Sequence, residues 1–226
     1  MGIAENLQAV RQSLPQGVRL VAVSKFHPVE VLQEAYDAGQ RLFGESRVQE
    51  LVAKHEALPD DIEWHFIGHL QTNKIKYMIP FVHMIHAVDS LKLLKEIGRE
   101  AEKHGREKPV LCLLQIHVAR EETKYGFTFD ECRSMLESGA WKELPPQVRL
   151  AGVMAMASNV DDVSQIRAEF HSVAAFFQEI KSEFFADNPE FRELSMGMSH
   201  DYPIAVEEHS TLVRVGTRIF GEREYR

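Results

Sequence analysis

The chain contains 226 residues, of which 44% are hydrophobic and 27% charged, a composition that excludes collagen-like, low-complexity and disordered proteins. Acidic residues outnumber basic ones by 34 to 26, which gives a net charge of −8. A chain with this balance lacks the basic surface through which proteins bind nucleic acids or anionic membranes. We therefore expect a single domain over residues 1–226, with neither kind of partner.

The cysteines and the N-terminal sequence both favour a cytoplasmic protein. Cys112 and Cys132 match no metal-binding or redox spacing, so we expect two free thiols, as in a reducing compartment. The N-terminal sequence MGIAENLQAVRQ has no basic segment followed by an apolar core, and Asn6 stands where a myristoylation signal needs serine or threonine. No apolar run approaches the length of a membrane span.

Short apolar runs alternate with segments of helical periodicity along the whole chain. Helices are predicted after Pro28, after Ser90 and at a capping box formed by Thr128 and Glu131, and a long helix is predicted at residues 163–184. Continuous apolar runs suit strands that are buried on both faces of a parallel sheet. The predicted strands are residues 18–23, 41–45, 64–68, 82–88, 110–118, 148–156, 192–197 and 212–216.

Eight strands that alternate with helices predict an α/β fold, and specifically a single (β/α)8 barrel of the TIM type. An open doubly wound sheet is the competing architecture. No GxGxxG follows the first strand and no GxxxxGK[ST] occurs, so the main nucleotide-binding signatures of such sheets are missing. The long helix carries an apolar residue every three or four positions, which can also indicate a coiled coil, but packing on the sheet is our interpretation.

Lys25 lies two residues after the first predicted strand, where a parallel α/β fold places its functional residues. Desolvation there favours the neutral amine, which can attack an aldehyde and form a Schiff base. The alternative is a lysine that extends from the strand end into water. Glu45 and Glu50, near the end of the second strand, are interpreted as hydrogen-bonding or solvated residues rather than as a catalytic pair.

The ends of the seventh and eighth predicted strands carry residues suited to an anion. Gly197 permits a tight backbone turn, and Ser199 offers a hydroxyl just before a predicted short helix. Gly216 and Thr217 offer amides and a second hydroxyl beside Arg214. TIM barrels often bind phosphate at these two strand ends, so we expect a phosphate site there.

The 11 histidines form no HExxH motif. His83 and His86 lie three apart in a predicted strand, so their side chains should face opposite sides. His65 and His69 lie four apart across a strand end, which is not the helical arrangement that brings two ligands together. We expect no metal site.

Six sequence blocks lie at the predicted strand ends or beside them. They read VAVSK at 21–25, FGESRVQE at 43–50, WHFIGHLQTNK at 64–74, KYGF at 124–127, SMGMSHD at 195–201 and VRVGTRIFG at 213–221. In this order, and together covering almost the whole chain, they resemble the pyridoxal phosphate (PLP) homeostasis protein family. The second block of that family usually reads Gly-Glu-Asn, whereas this chain has Ser46, whose hydroxyl is shorter than an amide.

The resemblance implies a barrel of the alanine racemase type, PLP fold type III without the C-terminal β-domain. It implies that Lys25 holds PLP as an aldimine, and that Arg214 approaches the pyridine nitrogen and weakens the electron sink needed for carbanion chemistry. Ser199, Gly216 and Thr217 would bind the phosphate, and His69 would lie near the pocket wall. The cofactor-binding residues carried over from the family are Lys25, Ser46, Asn73, Met154, Ser199, Arg214, Gly216 and Thr217.

The function implied by the resemblance is intracellular PLP, vitamin B6 and amino-acid homeostasis rather than efficient catalysis. Racemisation needs an acid/base group on each face of a planar carbanion, and alanine racemases take one of them from the additional domain. The chain ends at Arg226, just after the eighth strand, and the spacing singles out neither His200 nor Tyr202 as a substitute. We expect a monomer whose partners are PLP and apo-enzymes that accept it.

Two other functions stay open at this stage. A PLP-dependent amino-acid racemase or lyase would use the same lysine and would exchange the α-proton of its substrate. A PLP-free barrel isomerase would use the same phosphate site for a sugar phosphate and would show no visible chromophore.

Overall fold

The structure, a computed structural model, describes residues 2–120 and 125–222. Eight parallel strands close into a barrel in chain order, and the last strand pairs with the first, with Arg214 opposite Val21. The predicted (β/α)8 barrel is therefore confirmed, and the open doubly wound alternative is excluded. The strands are β1 (Arg19–Val23), β2 (Leu42–Glu45), β3 (Glu63–Phe66), β4 (Met84–Val88), β5 (Val110–Ile116), β6 (Val148–Ala155), β7 (Glu193–Ser195) and β8 (Leu212–Val215).

Helices connect the strands and cover the outside of the barrel. The predicted starts are observed: the Ser90 hydroxyl accepts from the Leu93 amide, and Thr128 and Glu131 cap each other reciprocally. The helices are α1 (Ile3–Gln12), α2 (Val29–Asp37), α3 (Val48–Ala57), α4 (Ile75–Met78), α5 (Leu91–Lys103), α6 (Phe129–Glu137), α7 (Val163–Phe184), α8 (Tyr202–Glu207) and α9 (Thr217–Phe220).

The apolar stripe of α7 packs against the barrel. Ile166, Phe170, Val173, Phe177 and Ile180 are all buried in the main hydrophobic core. Burial of each such side chain contributes roughly 1.5–3 kcal/mol relative to its exposure, so this stripe is a large part of what holds the outer layer on the sheet. Packing on the sheet, rather than a coiled coil, is the confirmed role of the helix.

Inward-facing side chains fill the barrel. A separate apolar cluster contains Val21, Met84, Leu113, Met154 and Leu212, which come from five different strands. Strands β6 and β7 approach closely at Gly152, where a Cβ would lie 1.8 Å from the carbonyl oxygen of Glu193 and where φ is +151°. This interior is packed, so any ligand must bind at an end of the barrel.

Both cysteines are buried and form no disulfide, as predicted. Burial raises the pKa of the Cys112 and Cys132 thiols to about 12, which keeps both protonated. Among residues 2–120 and 125–222, no helix combines the length and apolarity that crossing a membrane would need.

Candidate functional site

The residues singled out by the sequence gather at the carboxyl-terminal end of the barrel. Lys25 lies two residues after the end of β1, Ser46 comes directly after β2, and Ser199 follows β7. Gly216 and Thr217 come directly after β8. Because carboxyl ends of parallel strands meet at one face of a barrel, these side chains surround one opening.

The loop that carries Lys25 is fixed by hydrogen bonds on both sides of the lysine. On one side, the Ser24 hydroxyl donates to Glu45 Oε1 at 2.6 Å, and the Lys54 ammonium donates to the Ser24 carbonyl at 2.9 Å. On the other side, the Phe26 amide donates to Glu50 Oε2 at 2.9 Å. The half-buried lysine thus projects from a backbone held in one position.

Glu45 and Lys54 form a buried ion pair beneath this loop. Lys54 Nζ lies 2.7 Å from Glu45 Oε1 and 3.5 Å from Glu50 Oε2. Desolvation raises the pKa of Glu45, and the nearby Lys54 ammonium and the hydrogen bonds from Lys54 and Ser24 oppose that rise. The expectation that Glu45 and Glu50 hydrogen-bond rather than form a catalytic pair agrees with these contacts, since both serve the loop.

The residue after Lys25 has an unusual backbone conformation. Phe26 has φ of +68°, a left-handed conformation that costs a non-glycine residue about 1–3 kcal/mol. The guanidinium of Arg47 lies 4.6 Å from the centre of the Phe26 ring, and the bond from its amide to Glu50 adds a second restraint. Strain of this kind persists where the surroundings over-determine the backbone, and here it turns the chain sharply next to the amine.

Beside the Lys25 loop, since β8 pairs with β1, the ends of β7 and β8 are joined through a hydroxyl. The Gly216 amide donates to Ser199 Oγ at 3.1 Å, and the Arg218 guanidinium donates to the Ser199 carbonyl at 2.6 Å. A Cβ at position 216 would lie 3.0 Å from the Val23 carbonyl oxygen, so glycine lets the backbone lie close to β1. Ser199, Gly216 and Thr217 are brought together as predicted by their positions at the strand ends.

The turn before Ser199 depends on Gly197. Its φ is +90°, and a Cβ there would lie 2.7 Å from the Cα of Tyr202 and from the Cβ of Ala205. The predicted short helix is α8, and the buried Asp201 side chain accepts from the Met198 amide at 2.5 Å. The glycine therefore allows α8 to pack tightly under the turn that presents Ser199.

Arg214 is almost fully buried inside the barrel, just below the opening. Its Nη1 donates to the Ser195 carbonyl at 2.9 Å and to Ser195 Oγ at 2.6 Å, and its Nη2 donates to the Ala155 carbonyl at 3.0 Å. Burial lowers the pKa of Arg214 to about 10, and the Asp201 carboxylate acts in the opposite direction. The guanidinium has five N–H donors, so these three bonds among the described residues leave two for other acceptors.

A chain of neutral groups continues from Arg214 through the barrel. Ser195 Oγ lies 3.0 Å from His86 Nδ1, and His86 Nε2 lies 2.9 Å from His65 Nδ1. Both imidazoles are fully buried, and desolvation lowers the pKa of His65 and of His86 well below the usual value. This series of hydrogen-bonded side chains connects Arg214 to the amino-terminal half of the barrel, and none of its other members carries a charge.

The remaining predicted residues take different positions. Met154 belongs to the apolar filling of the barrel, and half-buried Ser46 lines a cleft of about 220 Å³ together with His69. Asn73 lies in an exposed 3₁₀ turn and lines a second cleft of about 400 Å³, which also contains His69 and Asp89. The roles of Ser46, Met154 and Asn73 toward a cofactor stay predictions. Lys124 of the KYGF block lies outside the described residues.

Several important residues were not found by sequence reasoning. Lys54 lies in the middle of α3, where a lysine ordinarily faces water, and Ser195 and His86 were not assigned a role at all. One signal was present for Lys54: Glu50 precedes it by one helical turn, which places both side chains on the same face of α3. Pairing of residues from different strands, such as His86 with Ser195, leaves no local pattern.

Comparison with known proteins gives the family. A family model described as "Alanine racemase, N-terminal domain" matches residues 2–224. The pyridoxal phosphate homeostasis protein of Aquifex aeolicus is 38% identical over 227 residues, which cover 99% of this chain and 96% of that protein. The protein of the same name from Homo sapiens is 36% identical over 247 residues, covering 100% of this chain and 88% of its own.

Solved structures agree with this assignment. PipY of Synechococcus elongatus without PLP superposes with a TM-score of 0.88 at 39% identity, over 97% of this chain and 100% of that one. PipY with PLP bound gives a TM-score of 0.84 at 38% identity, with the same coverage. An alanine racemase of Clostridium difficile shares the fold alone, with a TM-score of 0.80 at 16% identity over 57% of its chain. From its sequence and its barrel, the chain belongs to the pyridoxal phosphate homeostasis protein family.

Proposed function

We propose that this chain binds PLP at the carboxyl-terminal end of its barrel and takes part in PLP homeostasis. The observation that carries the proposal is that Lys25, Ser199 and Gly216 follow strands β1, β7 and β8 at the same end of the barrel, with the Arg214 cation buried below. Two supports are independent of this geometry. Relatives that match nearly the full chain are named PLP homeostasis proteins, and the similar PipY has been solved with PLP bound.

The residues of the opening fit the chemistry of PLP. A phosphate needs hydroxyl and amide donors, which Ser199, Thr217 and the α9 backbone provide. A pyridine nitrogen that carries no proton needs a donor, and Arg214 retains two N–H groups beyond its bonds to Ser195 and Ala155. An aldehyde needs an amine, which Lys25 provides.

When bound, PLP supplies an aldehyde carbon for covalent attachment and a ring that can stabilise a neighbouring carbanion. Lys25 would hold the aldehyde end, because the bonds at Ser24 and Phe26 fix its loop. Arg214 would donate to the ring nitrogen through one of its remaining N–H groups, and a cation at that place would keep the nitrogen unprotonated. The carbanion-stabilising capacity of the ring is then reduced, which suits storage of PLP better than catalysis.

The surroundings of the two candidate acid/base residues also favour a binding role. The Tyr202 hydroxyl lies 2.9 Å from Ser13 Oγ near the end of α1, and the tyrosine is buried. His200 is half-exposed, with Nε2 3.3 Å from the buried Asp201 carboxylate. Tyr202 is thus engaged by the outer layer rather than free to exchange protons with a ligand. We propose that PLP is held here and passed to apo-enzymes, rather than used for turnover.

Reductive trapping tests the assignment of Lys25. Purified protein loaded with PLP should show an absorption band near the visible edge, and borohydride followed by peptide mapping should find the cofactor on Lys25. Lys25→Ala should lose the band, whereas Lys142→Ala, which removes an exposed lysine beside α6, should keep it. An unmodified Lys25 in reduced, PLP-loaded protein would contradict the assignment.

Proton exchange distinguishes storage from catalysis. PLP-loaded protein is incubated with a panel of amino acids in deuterated water, and incorporation of deuterium at the α-carbon is followed by NMR. The proposal predicts exchange close to the rate of free PLP. Fast exchange that Lys25→Ala abolishes would establish a racemase or lyase instead.

A further inference from the structure

A second cluster of polar side chains lies at the amino-terminal end of the barrel, opposite Lys25. It consists of Glu63 and His65 on β3 and His83 just before β4, and one donor atom from each lies within 4.8 Å of the others. We propose that these three residues bind a transition-metal dication of the Zn²⁺ class. This inference is independent of PLP binding, since it uses the other end of the barrel.

The strand geometry explains why these residues meet. Glu63 and His65 are two residues apart on β3, so their side chains point to the same side of the sheet. The His83 amide donates to the Trp64 carbonyl at 2.8 Å, which fixes His83 against the middle of β3. The rings of His65 and His83 stack with centroids 5.6 Å apart, and His83 Nε2 lies 3.7 Å from Glu63 Oε2.

An unsatisfied nitrogen supplies an independent reason for a ligand. His65 is fully buried, and its Nε2 has no hydrogen-bond partner among residues 2–120 and 125–222. Its Nδ1 is engaged with His86 Nε2 at 2.9 Å, so Nε2 is the nitrogen left for the cluster. Buried polar atoms in folded proteins are nearly always paired, and a metal ion bound to this nitrogen would satisfy it.

His86 also provides what a metal-bound histidine ordinarily needs. Metal-ligating histidines donate their other ring N–H to a neighbouring acceptor, which fixes the ring orientation and tautomer. With a metal on Nε2, His65 would donate from Nδ1 to His86 Nε2, and His86 would donate from Nδ1 to Ser195 Oγ. The acceptors that fix His65 in the tautomer needed for metal binding are therefore already present, namely His86 and Ser195.

The donor set and the surrounding charges select the kind of ion. Two imidazoles and one carboxylate, with a position left for water, suit Zn²⁺ or Co²⁺ rather than Mg²⁺ or Ca²⁺, which prefer oxygen ligands. The cations Arg19, Arg106 and Lys108 act on His83 and oppose any dication. Ions held mainly by charge are thus disfavoured, whereas ions held by bonds to nitrogen are tolerated.

Metal titration of the untagged protein tests the proposal. At one equivalent, Co²⁺ should give the visible absorption bands that are typical of a four- or five-coordinate ion. Zn²⁺ should displace the Co²⁺, whereas Mg²⁺ should not. Zn²⁺ affinity, measured by competition with a chromophoric chelator, should fall at least ~10-fold in Glu63→Gln and in His83→Asn, because each removes a ligand. Both residues are half-exposed, so the variants should fold, and circular dichroism checks this.

The matched control uses the same residue types elsewhere. His171 and Glu208 form a surface pair at 2.9 Å on α7 and after α8, so His171→Asn should leave the Zn²⁺ affinity unchanged. No binding by the folded wild-type protein would overturn the proposal. It would equally be overturned by binding that Glu63→Gln and His83→Asn do not weaken.

Discussion

Two buried polar networks lie at the barrel opening, one under the Lys25 loop and one around Arg214, and they are built from different chemistry. Under Lys25, the network is ionic: Lys54 joins Glu45 and Glu50 to the Ser24 backbone. Around Arg214, one cation is held by two carbonyls and by the Ser195 hydroxyl, which in turn contacts the neutral imidazole of His86. The first network orders a loop, whereas the second holds a charge in the barrel interior.

The difference follows from what each network has to fix. The Ser24 amide still bonds the Gly44 carbonyl of β2, but the next residues leave the strand ladder, and charge-assisted bonds hold the strained Phe26 turn. Arg214 already lies on a paired strand, and extra charges in the barrel would carry a large desolvation cost. Neutral acceptors orient the guanidinium and leave its charge available to a ligand.

The largest effect is expected when the ionic network is broken on one side only. Lys54→Met leaves the Glu45 carboxylate buried without its cation, and removal of one partner of a buried pair destabilises by about 3–5 kcal/mol. The double variant Lys54→Met/Glu45→Gln should recover most of this loss, because no unpaired charge remains. Urea unfolding of both variants, with the free energy extrapolated to water, measures the difference.

An exposed ion pair provides the control for that experiment. Arg41 and Asp61 lie 2.8 Å apart at the surface, and Asp61→Asn should change stability far less than Lys54→Met does. A double variant as unstable as Lys54→Met alone would show that the network stabilises through packing rather than through charge.

The next largest effect is a pH dependence of stability that originates in the neutral network. The pKa values of His65 and His86 are lowered by burial, so below the ordinary histidine pKa of about 6.5 the unfolded chain binds protons that the folded chain does not. This stability is complete above pH 6.5 and is lost as the pH falls. Two such groups give a slope of at most about 2.7 kcal/mol per pH unit.

The ionic network acts in the opposite direction in part of this range. The pKa of Glu45 is raised by desolvation, so the folded state holds a proton that the unfolded state releases above about pH 4.5. The double variant Lys54→Met/Glu45→Gln should therefore show a steeper loss of stability between pH 6.5 and 5 than the wild type. Equal slopes, measured by urea unfolding in a pH series, would show that Glu45 does not titrate in this window.

The two networks differed in how far the sequence could predict them. Barrel topology and the Ser199, Gly216 and Thr217 turns follow from alternation, glycine positions and strand ends, all of which are local patterns. Glu50 and Lys54 lie on the same face of α3, so the sequence could also have predicted their ion pair.

The neutral network was not predictable, because it depends on which residues of different strands face inward at the same level. His65, His86 and Ser195 come from β3, β4 and β7, separated by 21 and 109 positions. The β4–β5 pairing also shifts register between Ile85 and Val88, which simple alternation does not anticipate. Which side chains face inward beyond such a register shift is therefore known only from the three-dimensional structure.

A smaller effect is expected when the neutral network is interrupted at Ser195. Ser195→Ala removes an acceptor from Arg214 and leaves His86 Nδ1 without its partner, which costs about 1–3 kcal/mol for a buried polar atom. The exposed Ser182→Ala removes only a hydroxyl bonded within α7 and should change stability little. Thermal or urea unfolding compares them, and equal stabilities would contradict a role for the Ser195 hydroxyl.

The smallest effect concerns Ser199, which belongs to neither network. Ser199→Ala removes the hydroxyl that is proposed to bind the phosphate and that accepts from Gly216. Loss of one hydrogen bond to the phosphate, at about 0.5–1.5 kcal/mol, should weaken PLP binding by up to about tenfold. Pyridoxal, which has no phosphate, should bind the variant and the wild type equally. If both ligands lost affinity to the same extent, Ser199 would act by supporting the β7 and β8 ends, because a phosphate contact must discriminate between the two.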